Sequence, residues 1–167
     1  MTLQEKLTMK TTLQSNFCIA VVIWLLPTTT FSQSIEGPSF EDLLAGFSDP
    51  NRWLTYSGDY SGTRHSPLTQ INPTNVEELR PVWTFQSGTT TRGRGWETTP
   101  LLDEGVLYVT GSNNLAWALD ARTGRSFWQY RRNLPDDLTY GASAPVNRGF
   151  GMLGNQLFMV TLDAHLM

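Results

Sequence analysis

From Pro81 onward, apolar and polar residues alternate in short runs separated by turn chemistry. Val82-Trp83-Thr84-Phe85-Gln86 stops at Ser87-Gly88, and Thr98–Leu102 is a second short run. Val106–Thr110 follows Asp103-Glu104-Gly105, Leu115–Asp120 follows Gly111-Ser112-Asn113-Asn114, and Ser126–Tyr130 follows Arg122-Thr123-Gly124. Short strands at a spacing of about 8–12 residues, punctuated by Gly, Asn and Asp, predict an antiparallel all-β structure. The preceding stretch reads differently. Phe40–Phe47 fits one short helix with Ser39 as its N-cap, and Asn51–Gln70 reads as irregular chain. Asn72-Pro73 opens a helical turn, with Asn72 capping and Pro73 at the first helical position.

The strand region repeats itself. Val82-Trp83-Thr84-Phe85 matches Phe127-Trp128-Gln129-Tyr130, and Leu107-Tyr108-Val109-Thr110 matches Phe158-Met159-Val160-Thr161, at spacings of roughly 45 and 50 residues. A period of that size with four strands per unit is the signature of propeller blades. The expected architecture is therefore a partial β-propeller of one to two blades, since these residues are too few to close a ring. The division expected is 1–32 as a targeting segment, 33–80 as an extension of short helices and loops, and 81–167 as the incomplete propeller.

Composition then adds an address. Lys6 and Lys10 precede the apolar run Phe17–Leu26, Pro27 ends it, and Thr30 and Ser32 supply small residues ahead of Gln33. This is the layout of a secretory signal peptide, with a retained N-terminal anchor as the alternative. Cleavage after Ser32 removes both lysines and the single cysteine, Cys18, so arginine becomes the one basic residue type. The expected destination is the periplasm, with no membrane span left in the mature part. A net charge of −3 and the lack of a basic tract argue against nucleic acid as partner. One cysteine excludes an internal disulfide framework and a cysteine zinc cluster.

Little of the chain carries recognisable chemistry by itself. No phosphate loop, nucleophile elbow or zinc signature is present. Asp103, Glu104, Asp136, Asp137 and Asp163 lie in turn contexts and are expected to be solvated. His65 and His165 stand alone and read as structural or exposed, not as ligands. No catalytic residue and no metal ligand is expected within these residues.

The run Ala118-Leu119-Asp120-Ala121-Arg122-Thr123-Gly124-Arg125-Ser126-Phe127-Trp128 has the form AxDxxTGxxxW. It resembles the tryptophan-docking motif of quinoprotein alcohol dehydrogenase propellers, which have eight blades. Thr123-Gly124 suits a tight turn, Asp120 can tie it through its carboxylate, and Trp128 offers a flat ring to a neighbouring blade. Gly58–Asn72, Trp96-Glu97-Thr98-Thr99-Pro100-Leu101 and Pro145-Val146-Asn147-Arg148-Gly149 extend the likeness to dehydrogenases dependent on pyrroloquinoline quinone (PQQ). The resemblance runs over residues 50–167.

That resemblance implies an oxidoreductase that takes an alcohol or sugar hydroxyl and passes electrons to a cytochrome c or a quinone. It implies PQQ as cofactor, with Ca²⁺ beside it whose ligands lie beyond residue 167. Glu97 occupies the position of a glutamate that contacts the cofactor, and Arg148 that of an arginine binding its carboxylates. A planar, permanently charged guanidinium suits a tricarboxylate. One departure is plain: where many members carry adjacent cysteines that close over the cofactor, this chain has Ala142 and Ser143. Two other readings stay open at this point, a non-enzymatic exported propeller scaffold and an inactive truncated fragment.

Overall fold

The computed structural model describes residues 36–89, 96–139 and 145–167. The expected signal segment and the Ala142-Ser143 pair lie outside the described residues. The fold begins with α1 (Phe40–Ala45), which has a capping box: the Ser39 hydroxyl accepts from Asp42 N, and the Asp42 carboxylate accepts from Ser39 N. A single turn of tighter helix follows at Gly46–Ser48, and another lies at Val76–Glu78. Asn72 caps the expected turn through its side chain, which accepts from the Thr74 backbone and hydroxyl.

Four strands form one antiparallel sheet in chain order: β1 (Leu101–Asp103), β2 (Val106–Thr110), β3 (Leu115–Asp120) and β4 (Ser126–Arg131). The β1–β2 connection is a two-residue turn in which Glu104 and Gly105 both take positive φ, matching the right-handed twist of the flanking strands. At the β3–β4 turn Asp120 Oδ1 accepts from Arg122 N at 2.8 Å and Thr123 N at 3.0 Å, while Gly124 supplies the positive φ. A second hairpin, β5 (Gly151–Leu153) with β6 (Gln156–Phe158), repeats the β1–β2 arrangement at the start of the next unit. The expected strand at Val82–Gln86 forms no ladder; its residues lie against the sheet through their rings.

β3 explains why the sheet holds. Leu115, Ala116, Trp117, Ala118 and Leu119 are all buried, as a central strand covered on both faces requires. On one face Leu115, Trp117 and Leu119 join Val109 in a core cluster completed by Phe85 and Leu107. On the other the small side chains of Ala116 and Ala118 leave room for rings: Ala118 pairs with both Tyr108 and Trp128, whose ring centroids are 6.3 Å apart. A separate cluster of Leu43, Leu54, Leu101 and Met152, flanked by Trp53 and Phe150, ties α1 to β1 and β5.

Two sequence expectations change here. Trp83, expected in a strand, instead lays its ring on the Thr123-Gly124 turn. Trp83 Nε1 donates to Ala121 O at 3.1 Å, and a Cβ on Gly124 would stand 2.5 Å from the Trp83 ring. Trp128 sits on β4, all of whose residues are exposed, at the edge of the sheet. Asp103 and Asp163 are not solvated either. Asp103 accepts from Arg52 Nε at 2.7 Å, and Asp163 takes the Arg132 guanidinium through both carboxylate oxygens. Each turn acid lies within reach of an arginine distant in sequence, so both are withdrawn from water without being left unpaired.

Candidate cofactor-binding site

The segments that carry Glu97 and Arg148 run side by side. Thr99 and Gly149 form a parallel bridge, with Thr99 N donating to Arg148 O at 3.2 Å. Each residue of Asn147-Arg148-Gly149 has a separate structural reason. Asn147 is buried; its Oδ1 accepts from Gly149 N at 3.0 Å and its Nδ2 donates to Val160 O at 2.8 Å, which fixes the bend. Gly149 has φ +128, and a Cβ there would stand 2.9 Å from Thr99 O, so only glycine allows the two segments to approach this closely. Arg148 has its backbone engaged and its side chain available.

That side chain meets Glu97: Nη2 lies 3.0 Å from Oε2, with the arginine 69% exposed and the glutamate 24%. The two residues singled out in the sequence are thus brought into direct contact. Arg148 also lines a cleft of about 570 Å³, with Tyr56, Asn147, Phe150, Phe158 and Val160 among its walls. The cleft is mostly apolar with a cationic group at one side, a combination suited to a flat ring bearing carboxylates.

Tyr56 escaped the sequence reading. It sits in the irregular stretch before Ser57-Gly58, and no spacing rule connects it with residues 99 or 148. The Arg64 guanidinium lies over its ring, 4.5 Å from the centroid. Hydrogen bonding to the Arg64 side chain, then to Thr99, holds the phenol below its ordinary pKa, and the Arg148 charge adds to the effect. A stack of two tryptophans backs the Glu97 segment: Trp96 lies on Trp117 with centroids 5.4 Å apart and planes 15° apart, over Gly111, where a Cβ would strike the Trp117 ring. Among the described residues, no group of three or more His, Cys, Asp or Glu is placed to hold a metal ion, and no helix is long and apolar enough to cross a membrane.

A four-stranded blade followed by the opening hairpin of another, with an arginine–glutamate pair at the edge of an apolar cleft, defines a partial β-propeller of the quinoprotein type. Residues 53–167 match the family described as PQQ: Glucose/ethanol/alcohol dehydrogenase, beta-propeller domain, and the chain belongs to that family. It is 43% identical over 128 residues to quinoprotein alcohol dehydrogenase PedH of Pseudomonas putida, covering 77% of this chain and 21% of that protein. It is 38% identical over 131 residues to the 1-butanol dehydrogenase (quinone) of Thauera butanivorans, covering 78% and 21%. In structure it is similar to the quinohemoprotein alcohol dehydrogenase of Comamonas testosteroni, with TM-score 0.66 and 31% identity over 72% of this chain and 18% of that one. It is also similar to a europium-containing methanol dehydrogenase, with TM-score 0.65 and 31% identity over 75% of this chain and 22% of that one. The chain spans about a fifth of the length of these relatives.

Proposed function

We propose that this chain forms the first part of the quinone cage of a periplasmic PQQ-dependent dehydrogenase that oxidises an alcohol. The observation that carries the reading is the Glu97–Arg148 pair at the apolar cleft, on two segments that Gly149 allows to lie in contact. When bound, PQQ supplies an electron-accepting quinone; the chain supplies the hold on it. Arg148 presents a fork of donors that can take a carboxylate bidentately. Glu97 orients that fork and offsets its charge, so that the site is set before the ligand arrives. The calcium expected beside the quinone takes its ligands from outside these residues, as do the proton-abstracting base and the electron acceptor, a cytochrome c or a quinone. Residues 1–32 act as the signal that exports the protein.

The test is PQQ binding by the protein expressed from its complete reading frame, followed by quenching of tryptophan fluorescence. Arg148→Ala is expected to weaken binding at least tenfold, the order of a hydrogen-bonded charge pair. Unchanged affinity overturns the assignment and leaves the exported scaffold as the better account.

A further inference from the structure

Arg148 accounts for only one side of the cleft. Tyr56 lines the same space, on a segment roughly 90 residues earlier in the chain, and three features fix its ring there. The Arg64 guanidinium is stacked on one face, 4.5 Å from the ring centroid, close enough to lower the phenol's pKa. Thr99, whose backbone N donates to Arg148 O, adds to the lowering of the same phenol's pKa. Arg64 itself is held at φ +55, a left-handed conformation unfavourable to a long side chain, at the point where the chain bends to bring its guanidinium over the ring.

Exposed tyrosines often pack by their rings with the hydroxyl in bulk water. Here the ring is instead stacked under Arg64 at the wall of the cleft that Arg148 also lines. Two guanidiniums, those of Arg64 and Arg148, face the phenol, and the charge offsetting them on this side is Glu97, already engaged with Arg148. The local field is positive, which favours an anion with several carboxylates over a neutral ring.

We propose that Tyr56 is a second anchoring residue of this site: its hydroxyl, on a ring held under Arg64 in the wall of the cleft, donates to a carboxylate of the anionic ring that Arg148 grips. The inference rests on the quinone-cage reading but assigns a residue that reading does not use. Arg64 acts through Tyr56 and is a positioning residue. A donor phenol must keep its proton. Because the nearby cations make that proton easier to lose, affinity for a polycarboxylate falls once the phenolate forms and its charge repels the ligand.

The experiment measures PQQ affinity across pH 6 to about 10.5 for the wild type, Tyr56→Phe, Arg64→Ala and Arg148→Ala in the full-length protein. Tyr56→Phe keeps the ring and is expected to weaken binding about tenfold at pH 7 while abolishing the alkaline fall in affinity. Arg64→Ala leaves the hydroxyl in place and is expected to move that fall to higher pH, as the phenol regains its ordinary value. It also supplies the measurement should Tyr56→Phe not fold. A purely structural tyrosine moves neither limb of the profile. If Arg148→Ala weakens binding while Tyr56→Phe and Arg64→Ala leave both affinity and profile unchanged, the Tyr56 anchor is overturned and the quinone cage stands. If Arg148→Ala has no effect, or the wild type binds no PQQ, the cage reading fails and the anchor with it.

Discussion

Arg52 Nε donates to Asp103 Oδ1 at 2.7 Å, with both side chains largely withdrawn from solvent, and so joins the N-terminal stretch to the end of β1. The guanidinium also lies 3.6 Å from Asp42 in α1. Alongside it, Trp53 and Leu102 exchange backbone hydrogen bonds at 2.8 and 2.9 Å. The helical lead-in is thus registered against the blade at one point by charge and by backbone together.

Arg52→Ala strips a buried carboxylate of its partner and is expected to destabilise the fold by about 2 kcal/mol or more. The urea midpoint reads this directly. Replacing both members by apolar residues, Arg52→Met with Asp103→Leu, should recover much of the loss, because no unpaired charge then remains. A double variant as unstable as the single one would show that packing around Arg52, not charge, dominates.

Gly124→Ala and Gly105→Ala separate backbone strain from ring docking. Both glycines have φ above +70, but the Cβ at Gly124 runs into Trp83 whereas that at Gly105 meets nothing within 4 Å. Gly105→Ala should therefore cost about 1 kcal/mol from conformation alone. Gly124→Ala should cost roughly 1–3 kcal/mol more and shift the tryptophan emission to the red as Trp83 lifts away. Equal losses at the two sites would count against the docking geometry.

Asp163 supplies the pH dependence. The Arg132 guanidinium, bonded through both Nε and Nη2, holds its carboxyl well below the ordinary 3.8. A depressed carboxylate contributes stability that is fully present above its unfolded-state pKa and is lost as pH falls through the folded-state value. Wild type and Asp163→Asn should accordingly differ by a constant amount above about pH 4 and converge below it. A difference that grows on acidification would contradict the assignment.

Arg148→Ala should change stability little, by about 1 kcal/mol at most, since the arginine side chain is 69% exposed. Thermal melting checks this beside the binding measurement. A large loss of stability would make Arg148 a structural residue first.

The sheet was legible because its signals are local. Leu115–Leu119 is a continuous apolar run of strand length, which fits a strand buried on both faces, and the turn residues at 103–105 and 122–124 mark its hairpins. Glu97 and Arg148 were found through motif resemblance, and the fold places them in contact; periodicity alone says nothing of either. What escaped depends on contacts distant in the chain. Trp83 docks a turn roughly 40 residues away, so its own segment needed no ladder partner to be held, and alternation there misled. Asp103 and Asp163 look like ordinary turn acids until Arg52 and Arg132 are brought to them. Tyr56 has no local signal at all, since its meaning comes from Arg64 bending back over it and from Thr99 beyond.

The docking of Trp83 on Gly124 and the edge-to-face contact of Phe85 with Trp117 hold residues 83–85 to the blade largely by their rings. Strand pairs β1–β2, β2–β3 and β3–β4 link chain neighbours and can zip in sequence, whereas this strap closes only after the surface it lands on exists. It is therefore expected to arrive after the blade and to peel before it. Under mild denaturant the indole should gain water, and nearby amides should exchange, while the β3 ladder is still intact.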